Sequence, residues 1–137
     1  VDNYLEIEAA VKRVFSSFRH DIESVLDKKM SSGEYRVLRL ISSGVNKTSD
    51  LARKLDVSAS HITSLTDALV ARSLITRNRL TEDRRIILLS LTDEAEKIVK
   101  EVSKRKRELI VKRFAVFSDA EQEEFKRLLK KLADSID

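Results

Sequence analysis

The chain contains no cysteine, no proline and no tryptophan, and its 137 residues include only two glycines, Gly33 and Gly44. Without cysteine there are no disulfides, thiolate metal ligands or thiol-based oxidation sensors. The two histidines, His20 and His61, lie far apart, so no metal site is expected within one chain, and no cofactor. Neither glycine belongs to a G-x-x-x-x-G-K or G-x-G-x-x-G string, which removes phosphate loops of those kinds. Chains rich in β-structure need more turn residues than this, so helices should dominate. No apolar run approaches the roughly 20 residues of a membrane span, and no signal peptide opens the chain. The expectation is a soluble, cytoplasmic protein with no membrane partner. With no nucleophile–base pair or metal-ligand cluster in view, no catalytic residue is assigned and an enzyme is not expected.

What is present is a chain 42% hydrophobic and 36% charged, with a net charge of +4. That composition suits one folded domain rather than disorder. The charge is uneven: residues 48–91 carry 7 Lys/Arg against 5 Asp/Glu, and residues 92–113 carry 8 against 5. Residues 114–137 reverse the balance, with 4 against 6. A basic middle suits a polyanionic partner, although most charged runs are solvated helix faces.

Apolar residues at Ile7, Val11, Val14, Phe15, Phe18, Ile22, Val25 and Leu26 recur in steps of three and four, one stripe of a helix of about 20 to 25 residues. Ser31 stands three before Glu34, a capping box, ahead of Tyr35, Val37, Leu38 and Ile41. Gly44 supplies the positive-φ residue that ends this second helix. Thr48 or Ser49 then caps a short helix whose inner positions are Leu51, Ala52 and Leu55, with Asp50 in its first turn. Asp56 and Val57 break it, and Ser58 caps the next helix, with Val57 and Ile62 placed as a hydrophobic staple. A short helix, a tight turn and a longer helix make a helix-turn-helix.

The longer helix aims Ile62, Leu65, Leu69 and Ser73 at the core. Ser60, Ser64, Asp67 and Ala71, flanked by His61 and Thr63, occupy the opposite face. This face is short and polar, the kind that enters a major groove and bonds base edges, or else an ordinary solvated face. Leu74 to Leu80 and Ile86 to Leu91 form two β-rich runs around Thr81-Glu82-Asp83-Arg84-Arg85, which reads as a hairpin. Arg84 and Arg85 at its tip, with Arg77 and Arg79 on its first strand, suit a minor groove. Glu82 and Asp83 equally suit a neutralised, solvated loop. Thr92 caps a long helix with Asp93 and Glu94 in its first turn and an apolar stripe from Ala95 to Phe117. Inside it, Lys104-Arg105-Lys106-Arg107 reads as a solvated stretch. Ser118 and Glu121 form another capping box before a last helix bearing Phe125, Leu128, Leu129, Leu132 and Ile136.

A helix-turn-helix followed by a basic hairpin is a winged helix, and this one resembles the MarR family of transcriptional regulators. The family's wing typically reads Asp-x-Arg, followed after a fixed interval by Leu-Thr, and here Asp83-Arg84-Arg85 runs through to Leu91-Thr92. Asp50-Leu51-Ala52-Arg53-Lys54-Leu55 and Ala71-Arg72-Ser73-Leu74-Ile75 also resemble the family pattern. The chain departs from it at Asp56 and Ser73, where glycine is frequent, and at Ser64, where many members carry Arg. The resemblance implies a mainly α protein with a small β-hairpin wing (α+β), in the order α-α-α-α-β-β-α-α, with a very short extra strand near Val45. Residues 31–91 would form the winged helix-turn-helix lobe of a single domain spanning 1–137. The segments 1–30 and 92–137 would supply N- and C-terminal dimerisation helices. The apolar load on the ends (Leu5, Ile7, Phe114, Phe117, Phe125 and Ile136) independently favours a homodimer.

By the same resemblance the protein is a sequence-specific, double-stranded DNA-binding regulator, most often a repressor. Ser60, His61, Thr63, Ser64 and Asp67 would face base edges. Arg85 would enter the minor groove, oriented by Asp83, while Lys47, Thr48, Arg53, Arg77 and Arg84 hold phosphates. Two-fold symmetry implies a pseudo-palindromic operator. Small aromatic or phenolic effectors are common in the family, and Phe15, Phe18 and Tyr35 would line their cleft or else be plain core. The rival from another class is a winged-helix module that binds protein rather than DNA.

Overall fold

The computed structural model describes residues 2–136. Its elements are α1 (Asn3–Leu26), α2 (Ser32–Ser42), α3 (Thr48–Leu55), α4 (Ala59–Ala71), β1 (Ile75–Arg79), β2 (Ile87–Leu91), α5 (Asp93–Phe114) and α6 (Asp119–Asp134). The order is the one expected. Local chemistry accounts for most of the boundaries. Ser31 accepts from the Glu34 amide at 3.1 Å while the Glu34 carboxylate accepts from the Ser31 amide at 3.0 Å, and Ser118 with Glu121 repeats the exchange. Ser58 accepts from the His61 amide at 3.0 Å to start α4. Gly44 has φ 106° beyond the end of α2.

The core lies between α2, α3, α4, the hairpin and the first half of α5. Val37, Leu38, Leu51, Leu69 and Ala95 are completely buried, and Ile62, Leu74, Ile75 and Leu89 nearly so. Each large side chain there contributes about 1.5–3 kcal/mol by leaving water. The hairpin pairs antiparallel with Ile75 opposite Leu91 and Arg79 opposite Ile87. Leu80 also donates to the Ile86 carbonyl at 2.9 Å, so five residues turn the tip.

Three local expectations are corrected. Helix α3 has Lys47 as its N-cap and no side-chain cap bond, so Thr48 is its first helical residue rather than its cap. No separate strand forms near Val45: the Leu89 amide donates to the Asn46 carbonyl at 2.8 Å, one bond where a strand needs a ladder, and the sheet has two strands among the described residues. Ser73 does not face the core. It is exposed, just past the end of α4, with φ 59°. The buried place on that face belongs instead to Thr66, fully enclosed with its hydroxyl donating to the Ile62 carbonyl at 3.0 Å. A hydroxyl satisfied one turn back can occupy an apolar stripe without penalty.

The left-handed backbone at Ser73 is one that glycine adopts without strain. Holding a residue with a Cβ in that region costs about 1–2 kcal/mol, partly offset by glycine's larger unfolded-state entropy. Ser73→Gly should raise stability by about 0.5–1 kcal/mol, read as a higher urea midpoint with an unchanged slope.

The terminal helices are less covered than their stripes suggest. On α1 only Val25 and Leu26 are buried, whereas Ile7, Val11, Val14 and Phe15 are 45–63% exposed. Helix α6 has no buried residue, and Leu132 and Ile136 are 60% and 75% exposed. Phe18, Phe114, Phe117 and Phe125 do cluster, with neighbouring ring centroids 5.4–6.1 Å apart. Arg113 closes a forked pair onto the Asp21 carboxylate at 2.8 and 2.9 Å, joining α5 to α1. That contact holds the Asp21 carboxyl below the usual carboxylate range.

Candidate nucleic-acid interface

Helix α4 is buried through Ile62, Thr66 and Leu69, with Leu65 half-buried beside them. The opposite side is therefore presented outward, and Ser60, His61, Thr63, Ser64 and Asp67 are all exposed. Some of their capacity is already used within the helix. The Ser60 hydroxyl lies 3.1 Å from that of Ser58, and the Thr63 hydroxyl donates to the Ala59 carbonyl at 2.9 Å. The entry angle of α4 is set by Asp56, in the left-handed region at φ 54°, and by Val57 and Ile62, both of which join the core. Asp56 thus takes the conformation that glycine would otherwise supply, one that aspartate tolerates better than most residues.

The wing tip is organised by Asp83. One of its carboxylate oxygens accepts from the Arg85 amide at 3.0 Å and from Arg85 Nε at 3.1 Å. The other accepts from Arg85 Nη2 at 3.2 Å. The Arg85 guanidinium, and next its amide, hold the Asp83 carboxyl below its ordinary range. The arginine is not hidden by this fork, since its side chain is 90% exposed. It is oriented and stays available to a partner. Arg79 donates to the Arg84 carbonyl at 2.7 Å, bracing the tip from the strand. The sequence pattern puts Arg79 on the strand and does not mark it for that task.

The remaining cations are distributed differently from the expectation. Lys47 and Arg53 are exposed at opposite ends of α3, with Arg53 paired to Asp50 at 3.0 Å, and Thr48 is half-buried. Arg77 is engaged by its own chain at the surface, donating to the Asp67 carboxylate and, at 3.3 Å, to the Thr66 hydroxyl. Arg77, expected at a phosphate, and Asp67, expected at base edges, are thus joined in one ion pair. Arg72, given no role of its own by the sequence, donates to the Lys29 carbonyl at 2.8 Å and ties the end of α4 to the α1–α2 junction. These links span long sequence separations and leave no local signature.

Above the lobe, a cleft of about 880 Å³ opens between α1, α2, α3 and α5. Phe15, Phe18 and Tyr35 all line it. Tyr35 is also core: it is 2% exposed, with its hydroxyl 2.9 Å from that of Ser103. Arg19, Arg36, Arg39, Lys54 and Lys106 border the same space. Lys106 is half-buried rather than solvated as its basic run suggests, and burial, then Arg39, pushes its ammonium below the usual lysine value.

Comparison with known proteins places this arrangement. Residues 30–87, which hold the helix-turn-helix, the first wing strand and the wing tip, match the model of the MarR family. An uncharacterised HTH-type transcriptional regulator of Bacillus subtilis, YpoP, is 41% identical over 93% of this chain and 91% of its own length. Among solved structures, a MarR family protein from Bacillus stearothermophilus aligns with a TM-score of 0.86 at 21% identity, over 97% of this chain and 94% of that one. The PcaV transcriptional regulator of Streptomyces coelicolor, in complex with its natural ligand, aligns with a TM-score of 0.76 at 21% identity, covering 100% and 98%. Likeness at that identity speaks for the fold, whereas the near full-length relative speaks for descent, and on that ground the chain belongs to the MarR family of DNA-binding transcriptional regulators.

Proposed function

We propose that the protein is a homodimeric repressor that grips a pseudo-palindromic duplex, each protomer laying α4 in a major groove and Arg85 in the flanking minor groove. The observation that carries this reading is the exposed short polar face of α4 beside an arginine clamped by Asp83 yet 90% exposed. Ser60, His61, Thr63 and Ser64 supply the donors and acceptors for base edges, and Lys47, Arg53 and Arg84 the phosphate contacts. Repression is the sign that occupancy alone produces, because a protein covering the duplex excludes others from it. The apolar faces of α1 and α6, uncovered in one protomer, are the surfaces two copies would share.

The cleft is the place for an effector. Its volume falls in the range of small-molecule sites, and it combines Phe15, Phe18 and Tyr35 with Arg39 and Lys106. A small aromatic or phenolic molecule seated there touches both the terminal helices and the lobe. It would regulate by binding one spacing of the two better than the other.

The test is selection of bound sequences from random duplex DNA, followed by a salt titration on the selected motif. A symmetric motif whose affinity falls steeply with salt is expected. Arg85→Ala should weaken binding roughly tenfold or more while leaving the dimer intact. A salt-insensitive protein that selects no motif would instead be a protein-binding module.

A further inference from the structure

We propose that Arg77 acts on the recognition helix rather than on the duplex: it is the standing counter-ion of Asp67, and by cancelling that carboxylate it lets α4 approach a polyanion. This rests on the DNA-binding reading above. Helix α4, from Ala59 to Ala71, contains no lysine or arginine, and its one acidic residue is Asp67. The Asp67 side chain is 58% exposed on the outward face. Left alone, it would bring a negative charge against a backbone carrying one charge per roughly 1.7 Å of duplex.

The counter-charge comes from the neighbouring strand and is built in. Arg77 Nη2 donates both to the Asp67 carboxylate and, at 3.3 Å, to the Thr66 hydroxyl. Thr66 is fully buried, and its hydroxyl proton is already shared between the Ile62 and Thr63 carbonyls at 3.0 and 3.1 Å. Its lone pairs are what remain to receive the guanidinium, so the acceptor is held still. The strand is held too, since Arg77 pairs with Leu89, which is 2% exposed and donates to the Asn46 carbonyl. An arginine fixed at both ends, with its side chain 35% exposed, is a positioning residue with little left to offer a phosphate. The wing strand thereby delivers the positive charge that α4 lacks.

Binding of the selected duplex by four full-length chains, wild type, Asp67→Asn, Arg77→Ala and the double variant, separates the roles. Arg77→Ala should weaken binding roughly tenfold, as an uncancelled carboxylate facing phosphates requires. Asp67→Asn should lose less than about threefold, and the double variant should return to within about threefold of wild type with the same salt slope. Three results would overturn the inference. A double variant as weak as Arg77→Ala, with a slope shallower by about one, would mark a direct phosphate contact. An Asp67→Asn loss as large as that of Arg77→Ala would mark a mere strap between helix and wing. Wild-type binding by Arg77→Ala would leave Asp67 in no need of a counter-ion. A wild-type chain that selects no duplex would remove the DNA reading itself, whereas tight wild-type binding without coupling removes only this inference.

Discussion

Val14→Glu combined with Leu132→Glu is expected to yield monomers whose affinity for a two-half-site duplex falls by about 10²–10⁴-fold. Val14 and Leu132 are 47% and 60% exposed in a single protomer, on the faces of α1 and α6 that the chain does not cover itself. In a two-fold interface each substitution appears twice, so four carboxylates would have to leave water without partners. The lobe should survive the change. None of the buried core residues lies on α6, and α1 contributes only Val25 and Leu26 from its last turn. Sedimentation velocity should show the monomer, and circular dichroism should retain most of the helix. Dimers that persist unchanged would move the interface away from these faces.

Leu69→Ala should cost about 2–5 kcal/mol of stability, the range for emptying a filled leucine site in a core. Leu69 is completely buried, and only Ile62 and Thr66 are buried beside it on α4. Leu65→Ala, at a half-buried position of the same helix, should cost distinctly less. Urea unfolding measures both. Duplex at about 100 times its Kd should restore about 2.7 kcal/mol to each variant that still binds. A Leu69→Ala protein as stable as Leu65→Ala would mean that the face of α4 assigned to the core is wrong.

The contrast between caps and ion pairs explains how much of this molecule was legible beforehand. Ser31 with Glu34, Ser118 with Glu121, Ser58 and Thr92 all act within three residues of themselves, so their roles could be read from spacing. Helix α3 escaped because its N-cap is Lys47, whose side chain has no oxygen to offer. Asp83 with Arg85 was legible as a pair two residues apart. Asp67 with Arg77, Arg72 with Lys29 and Arg113 with Asp21 were not, because folding alone brings residues 10, 43 and 92 positions apart together. Periodicity located the apolar faces of α1 and α6 correctly. That one protomer cannot cover those faces follows from the apolar load of the ends rather than from the stripe, which marks what is buried without saying by which molecule.

Thr92 has a mechanical consequence. Its hydroxyl caps α5 by accepting from the Ala95 amide, and it also donates to the Ser73 carbonyl at 2.9 Å and lies 3.3 Å from that of Leu74. One oxygen therefore serves as the pivot shared by the head of the long helix and the root of the hairpin. Any tilt of that helix which keeps these bonds must swing the hairpin base with it, which is the route by which the proposed effector would move the wing.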